Sequence, residues 1–125
     1  MAGVTLTGAK PTPSAGAPGD AVVATWNLTT ADPNGDPVVG YEDYPDRTFQ
    51  CYGAAFGGAT VQLQGRLDTT AQYDPINDPQ GNPISKTAAA GSLEAALEAV
   101  PITRAALSVV GAGATITAVL YMRKK

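Results

Sequence analysis

The sequence predicts an all-β protein, a β-sandwich or jelly-roll-like barrel with an extended N-terminal arm. Three observations lead to this fold class. The 125 residues include 14 glycines and 10 prolines, too many chain-breaking residues for a helical bundle. Hydrophobic residues make up 44% of the chain, enough for a core and too many for a disordered protein. Short stretches of alternating apolar and polar residues are separated by segments rich in turn-forming residues.

The arm is expected over residues 1–19 and a single domain over residues 20–125. Small residues and prolines dominate the first segment, and prolines disfavour a helix. Because an isolated segment of this kind is usually mobile, we expect a neighbouring subunit to hold it in place. Val4, Leu6 and Lys10 are among its few larger side chains and are its candidate interface residues.

Seven short strands are expected, separated by two long loops. The strands cover residues 21–29, 47–55, 59–67, 84–88, 92–100, 104–110 and 115–122, and the loops cover residues 30–46 and 68–83. In the first strand Trp26 and Leu28 share one face, and in the second strand Phe49 and Cys51 do so. Gly57-Gly58 predicts a two-residue hairpin turn between the second and third strands, because both glycines tolerate positive φ.

Residues 92–100 fit two periodicities. Leu93 and Leu97 would lie on one apolar stripe of a helix. The same two leucines also alternate with Glu94 and Glu98, as on the two faces of a strand. Because nine residues are few for a helix, we assign a strand.

The 18 residues from Ala105 to Met122 carry no charge and are followed by three basic residues. This length meets the minimum for a membrane-spanning helix. Gly111 and Gly113 interrupt the segment, however, and divide it into two runs rich in β-branched residues. A β-hairpin is therefore the better interpretation, and a membrane is not an expected partner.

The last strand is partly apolar on both faces. Val119 and Tyr121 lie on the face opposite to its other apolar residues. This two-sided character indicates either a central strand or a strand covered by another chain. Val119 and Tyr121 are therefore candidate interface residues.

The composition excludes most familiar catalytic chemistry. Histidine is absent and Cys51 is the only cysteine, which removes His-based triads, Cys/His zinc sites and internal disulfides. The pattern Asp32-x-Asn34-x-Asp36 resembles the start of a calcium loop, but Pro37 stands where that loop requires glycine. We expect no enzymatic activity, no metal and no cofactor. The net charge of −3, without a basic cluster, also disfavours nucleic acid as a partner.

The first long loop contains two tyrosines beside acidic residues. Tyr41 and Tyr44 flank Glu42 and Asp43, and Arg47 follows. Tyrosines in loops are typical of protein interfaces or of sugar binding, since a rigid ring adds contact area at low entropic cost. Tyr41, Tyr44 and Arg47 are therefore candidate interface residues.

Several motifs along the chain carry a resemblance to a known group of proteins. They are Gly19-Asp20 before the strand with Trp26, Tyr44-Pro45-Asp46-Arg47-Thr48-Phe49-Gln50, the stretch from Phe56 to Gly65, Asp78-Pro79-Gln80-Gly81, Pro101-Ile102-Thr103-Arg104 and the stretch from Ala118 to Arg123. In these motifs residues 19–125 resemble small structural proteins of tailed bacteriophages, among them capsid cement or decoration proteins. The resemblance implies a β-sandwich, a place in the virion capsid after assembly in the bacterial cytoplasm, and no catalytic residues.

The function that this resemblance implies is structural. A cement or decoration protein binds the outer shell and stabilises contacts between subunits of the major capsid protein, and we expect self-association as a dimer or trimer. One alternative is a low-copy tail, baseplate or head–tail joining protein. Another alternative, from a different class, is a carbohydrate-binding β-sandwich module that uses the loop tyrosines.

Overall fold

The computed structural model describes residues 1–9 and 21–124. Its strands are β1 (Val4–Ala9), β2 (Ala21–Thr29), β3 (Val38–Val39), β4 (Asp46–Ala55), β5 (Thr60–Arg66), β6 (Asp74–Pro75), β7 (Ser85–Lys86), β8 (Glu94–Ala96), β9 (Ile102–Val109) and β10 (Thr115–Arg123). These strands form two antiparallel sheets packed face to face, and the described part of the chain contains no helix. The predicted fold class, an all-β sandwich, is confirmed.

The strand order is that of a jelly roll. The first sheet has the order β1-β2-β10-β4-β8, and the second has the order β3-β9-β5-β6, with β7 also paired to β5. When β1 and β7 are set aside, the other strands pair in a nested series: β2 with β10, β3 with β9, β4 with β8 and β5 with β6. A chain that doubles back once and is then rolled up gives this pairing. The rolling adds the contacts of β10 with β4 and of β9 with β5.

The core lies between the two sheets, and strand alternation decides which side chains enter it. Trp26 and Leu28 of β2 are buried, and so are Phe49 and Cys51 of β4, which confirms the faces predicted for these strands. Burial raises the pKa of the Cys51 thiol. The indole N–H of Trp26 donates to the backbone oxygen of Asp36 at 2.7 Å, so the ring enters the core with its polar atom satisfied.

Two connections that the sequence predicts as hairpin turns instead join strands of different sheets. Gly57 and Gly58 both have positive φ, as expected, but β4 lies in the first sheet and β5 in the second. Residues 110–114 likewise lead from β9 in the second sheet to β10 in the first. Both predicted hairpins are therefore wrong, and each connection is an arch that crosses from one sheet to the other.

The physical reason for this difference lies in what alternation specifies. An alternating strand determines which side chains are buried, but not whether the next strand lies beside it or opposite to it. Here the two arches support each other, because the N–H of Ala112 donates to the backbone oxygen of Gly57 at 2.9 Å. A Cβ atom at Gly57 would clash with the backbone oxygen of Ala112, so this close approach requires glycine.

The first nine residues pack against the sandwich through strand β1 and the residues that precede it. Strand β1 pairs with β2 along its whole length, and it forms one edge of the first sheet. The N–H of the buried Ala2 donates to the backbone oxygen of Asn34 at 2.8 Å. Small side chains predict an arm, yet the backbone of such a segment can still complete a sheet. Lys10 and the rest of the predicted arm lie outside the described residues.

Residues 92–100 contain strand β8 at their centre and no helix, which confirms the strand interpretation there. Just before β8, the buried Ser92 hydroxyl accepts from the N–H of Cys51 at 3.1 Å and donates to the Cys51 oxygen at 2.8 Å. This pair of hydrogen bonds fastens the segment to β4. Within residues 1–9 and 21–124, no helix is long and apolar enough to cross a membrane. The segment from Ala105 to Met122 lies in β9, the arch at residues 110–114 and β10.

Candidate interaction surfaces

The solvent side of the first sheet forms a broad surface, which we call the outer face. Its residues are those that alternate with the core residues of β1, β2, β10, β4 and β8. They are Thr5, Val23, Thr25, Asn27, Thr29, Asp46, Thr48, Gln50, Tyr52, Ala95, Thr115, Thr117, Val119, Tyr121 and Arg123. The central strand of this face is β10, which confirms one of the two interpretations of its two-sided apolar character.

The outer face is almost free of charge. Its two charged residues, Asp46 and Arg123, lie opposite each other at one end, where Arg123 Nε donates to Asp46 Oδ2 at 3.1 Å. The other members are mainly threonine, valine, amide and tyrosine side chains, and Thr117 Oγ1 donates to Asn27 Oδ1 at 3.1 Å. A partner can cover such a surface without burying an unpaired charge. From strand spacing and rise, its area is roughly 500 Å², a large part of the roughly 800 Å² that each partner contributes to a standard interface.

Val119 and Tyr121, predicted as interface residues, lie at the centre of the outer face. Both are half-buried by neighbouring side chains of the same face. In the register of the sheet, Val119 lies between Thr25 and Gln50 on the two flanking strands. Together with Val23, which lies opposite Tyr121 on β2, Val119 and Tyr121 form an apolar part of a surface that is otherwise rich in hydroxyl and amide groups.

Arg47, also predicted as an interface residue, is internal: its exposed fraction is only 3%. Its Nε donates to the Tyr44 oxygen at 2.9 Å and its Nη2 to the Tyr41 oxygen at 2.7 Å. Its Nη1 donates to Thr103 Oγ1 at 3.0 Å and to the Val100 oxygen at 3.4 Å. Burial lowers the pKa of this guanidinium. The interface prediction for Arg47 is corrected, because its position on β4 points inward and its donors are used within the chain.

Tyr41 and Tyr44 pack against each other and against the core. Their ring centroids are 5.4 Å apart with an interplanar angle of 64°, an edge-to-face arrangement. Both are half-buried, and the Lys124 ammonium lies 5.2 Å from the centroid of Tyr44. The two rings therefore shape the loop, and they do not form a flat aromatic platform.

Val4 and Leu6 lie on the edge strand β1. Val4 is half-buried and packs against the core, whereas Leu6 is 44% exposed at the rim of the sandwich. The predicted interface residues thus occupy three places: the β1 edge, the loop before β4 and the outer face. The structure does not bring them together into one site.

A cluster on the second sheet escapes sequence analysis. The guanidinium carbons of Arg66 and Arg104 lie 4.3 and 3.8 Å from the ring centroid of Tyr73. Arg104 Nε donates to Gln64 Oε1 at 2.9 Å, and Gln64 is its cross-strand partner. We call these two arginines the Arg66–Arg104 pair. Only the pairing of β5 with β9 brings them together, and no local sequence motif predicts that pairing.

A cleft of about 540 Å³ opens beside this cluster at the β6 edge. Leu67, Ile76 and Val100 contribute its apolar wall. Its polar lining includes Glu98, whose carboxylate accepts from the N–H of Asn77 at 2.7 Å. That carboxylate is therefore engaged in holding two segments of the rim together.

These surfaces offer contact area and charge, and reactive groups are not gathered in them. In the ranges 1–9 and 21–124, no group of three or more His, Cys, Asp or Glu side chains is placed to hold a metal ion. The outer face and the Arg66–Arg104 pair are the two surfaces whose chemistry suits a partner. No protein-family model, no curated protein and no solved structure matches this chain.

Proposed function

We propose that this chain is a non-enzymatic cement or decoration protein of a bacteriophage capsid. In this role it binds the outer shell and stabilises contacts between subunits of the major capsid protein. The observation that carries the proposal is the outer face, a nearly uncharged sheet surface across β1, β2, β10, β4 and β8. Such a face suits contact with another protein surface, because its threonine, valine and tyrosine side chains are short or rigid.

The fold supports the same proposal by analogy. Jelly rolls occur widely in viral capsid proteins and also in lectins, so the fold alone does not select a function. Two of the motifs of the phage resemblance cover an arch or a strand of the sandwich. The stretch from Phe56 to Gly65 covers the first arch and most of β5, and the stretch from Ala118 to Arg123 covers most of β10.

The edge strand β1 supplies a second means of attachment. It pairs with β2 on one side, and its other side can accept a further strand from a shell subunit. Contacts of this kind are weak individually. Repeated over a symmetric shell, they accumulate through multivalency, as a cement protein requires.

The experiment that tests the proposal is the copy number of this chain in purified virions, measured by quantitative mass spectrometry against the major capsid protein. We expect a ratio close to the abundance of the capsid protein itself. A ratio of a few per hundred would overturn the shell-wide role in favour of a tail, baseplate or head–tail joining position. Absence from the particle would overturn the virion function, and a glycan array would then test the carbohydrate-binding alternative.

A further inference from the structure

The structure describes six lysine and arginine side chains, and their partners divide them into three groups. Lys86, Arg123 and Lys124 pair with the carboxylates of Glu94, Asp46 and Asp43, respectively. Arg47 is buried and donates to four oxygen atoms. Within the described ranges, Arg66 and Arg104 are the cations with neither a carboxylate within 4 Å nor a buried set of acceptors. These two lie next to each other.

The sheet register explains why the two arginines meet. Gln64 lies opposite Arg104 across β5 and β9, so Arg66 is the diagonal neighbour of Arg104 on the same face. Both guanidinium groups contact the ring of Tyr73. The negative face of a tyrosine ring attracts a cation, and this attraction offsets part of the repulsion between the two like charges.

Hydrogen bonds within the chain fix one side of each guanidinium group, and the donors on the other side have no acceptor in the described part of the chain. Arg66 Nη1 donates to the backbone oxygens of Thr69 at 3.2 Å and Ala71 at 3.3 Å. Arg104 uses its Nε for Gln64. Among the described residues, no protein acceptor is found for Arg66 Nη2, for either Nη atom of Arg104, or for Arg66 Nε, which is buried. Two fixed forks with free donors form a pre-organised site for oxyanions.

Asp68, two residues after Arg66, is held within its own loop. The Thr70 hydroxyl, which donates to Asp68 Oδ1 at 2.8 Å, is the largest cause that lowers the pKa of Asp68, and the charge of Arg66 is a smaller one. The N–H groups of Thr70 and Ala71, which donate to the same oxygen at 2.9 and 3.0 Å, also lower this pKa. Asp68 therefore shapes its own loop, and within the described residues it forms no ion pair within 4 Å with Arg66 or Arg104. Burial, which lowers the pKa of Arg104, adds to the benefit of an external anion.

We propose that Arg66 and Arg104 bind carboxylates that project from an acidic surface of a protein partner. The two arginines lie on the solvent side of a sheet, so they suit groups displayed on another protein surface. The Tyr73 ring lies between the two guanidinium groups, so each can form charge-assisted hydrogen bonds to a carboxylate of its own. This site lies on the second sheet and is independent of the outer face, and it does not rest on the capsid function.

The test uses the full chain labelled with ¹⁵N-arginine, in which the arginine Nε–H signals are followed by NMR at low ionic strength. The probe is a hexaglutamate peptide. We expect the Arg66 and Arg104 signals to shift with saturation. Arg66→Gln and Arg104→Gln should each weaken binding about tenfold, the effect of losing one hydrogen bond to a charged group. Arg123→Gln, which removes an equal charge elsewhere, should leave the affinity within about twofold.

Two results would overturn the proposal. Shifts of similar size at Arg123, without saturation at Arg66 and Arg104, would mean that hexaglutamate senses only the overall field of the protein. Tighter saturation of the same two signals by inorganic phosphate than by hexaglutamate would assign the site to a phosphate group instead of a carboxylate. Circular dichroism of each variant verifies that the sheets are intact, and Tyr73→Leu, which keeps both charges, should weaken binding less than either arginine substitution.

Discussion

Arg47 holds three separate segments together from one buried position. Its guanidinium connects β4 and the loop at Tyr41 and Tyr44 with the start of β9 at Thr103. Four hydrogen bonds from one side chain need the planar fork of arginine, and an ammonium group on a lysine cannot reproduce them. No carboxylate in the described part of the chain lies within 4 Å of its buried charge, so these oxygen atoms are its direct partners.

Arg47→Lys should therefore lower the free energy of unfolding by about 3 kcal/mol, since hydrogen bonds to a charged group contribute about 1.5–3 kcal/mol each and more than one is lost. Urea denaturation followed by tryptophan fluorescence measures this change, because Trp26 lies in the core. The matched control is Arg123→Lys at the exposed end of the outer face, where we expect a change below about 0.5 kcal/mol. Equal stability of the two variants would contradict the buried role of Arg47.

At the scale of elements, the two arches decide how the sheets are joined. Gly57 and Gly58 are neighbours in one arch, and both have positive φ. They differ in their surroundings, because a Cβ atom at Gly57 would clash with the Ala112 backbone whereas one at Gly58 would meet no atom within 4 Å. A substitution at Gly58 therefore measures backbone strain alone, whereas the same substitution at Gly57 measures backbone strain together with the contact between the arches.

Gly58→Ala should lower the free energy of unfolding by about 1 kcal/mol, the strain of a positive φ at a residue with a Cβ atom. Gly57→Ala should lower it by about 3 kcal/mol, because the arches must also move apart. Thermal or urea unfolding of both variants gives the difference directly. Should the two substitutions prove equally destabilising, the contact between the arches contributes nothing.

Sequence patterns predict where the strands of this fold lie better than they predict which strands pair. The predicted strand over residues 21–29 matches β2, because alternation and turn residues are local signals. Pairing is not local: β9 and β10 follow each other in the chain yet lie in different sheets. For the same reason the outward position of Val119 follows from the alternation of its own strand, whereas the Arg66–Arg104 pair depends on a register between residues about 40 positions apart. Arg47 is mistaken for a surface residue because charge normally indicates exposure.

At the scale of the whole molecule, the proposed attachment to a shell depends on the uncharged outer face. Val119→Asp places a carboxylate at its centre, where a partner would have to bury the charge without a counterion. We expect binding to purified shells to fall at least about tenfold, while the unfolding midpoint shows that the domain remains folded. Co-sedimentation of the variant with shells that lack the protein measures this loss.

The control for that experiment is Ser108→Asp, which adds the same charge at an exposed position of β9 in the other sheet. It should sediment with shells as the unchanged protein does. A second control, Val119→Thr, keeps the shape of the side chain and adds only a hydroxyl, so it should retain most of the binding. Full binding by Val119→Asp would remove the outer face from the proposed function.

The nested strand pairing makes the two halves of the chain interdependent. A cut between β5 and β6 would leave β1–β5 in one fragment and β6–β10 in the other, and along each sheet the strands from β2 onward alternate between the fragments. Among the described strands, β1 with β2 is the only pair within one fragment. During synthesis on a ribosome, therefore, the strands β3, β4 and β5 have no partner strand until the second half of the chain has emerged. A protein nicked at this loop should stay together as two interlocked fragments that separate only when the core opens.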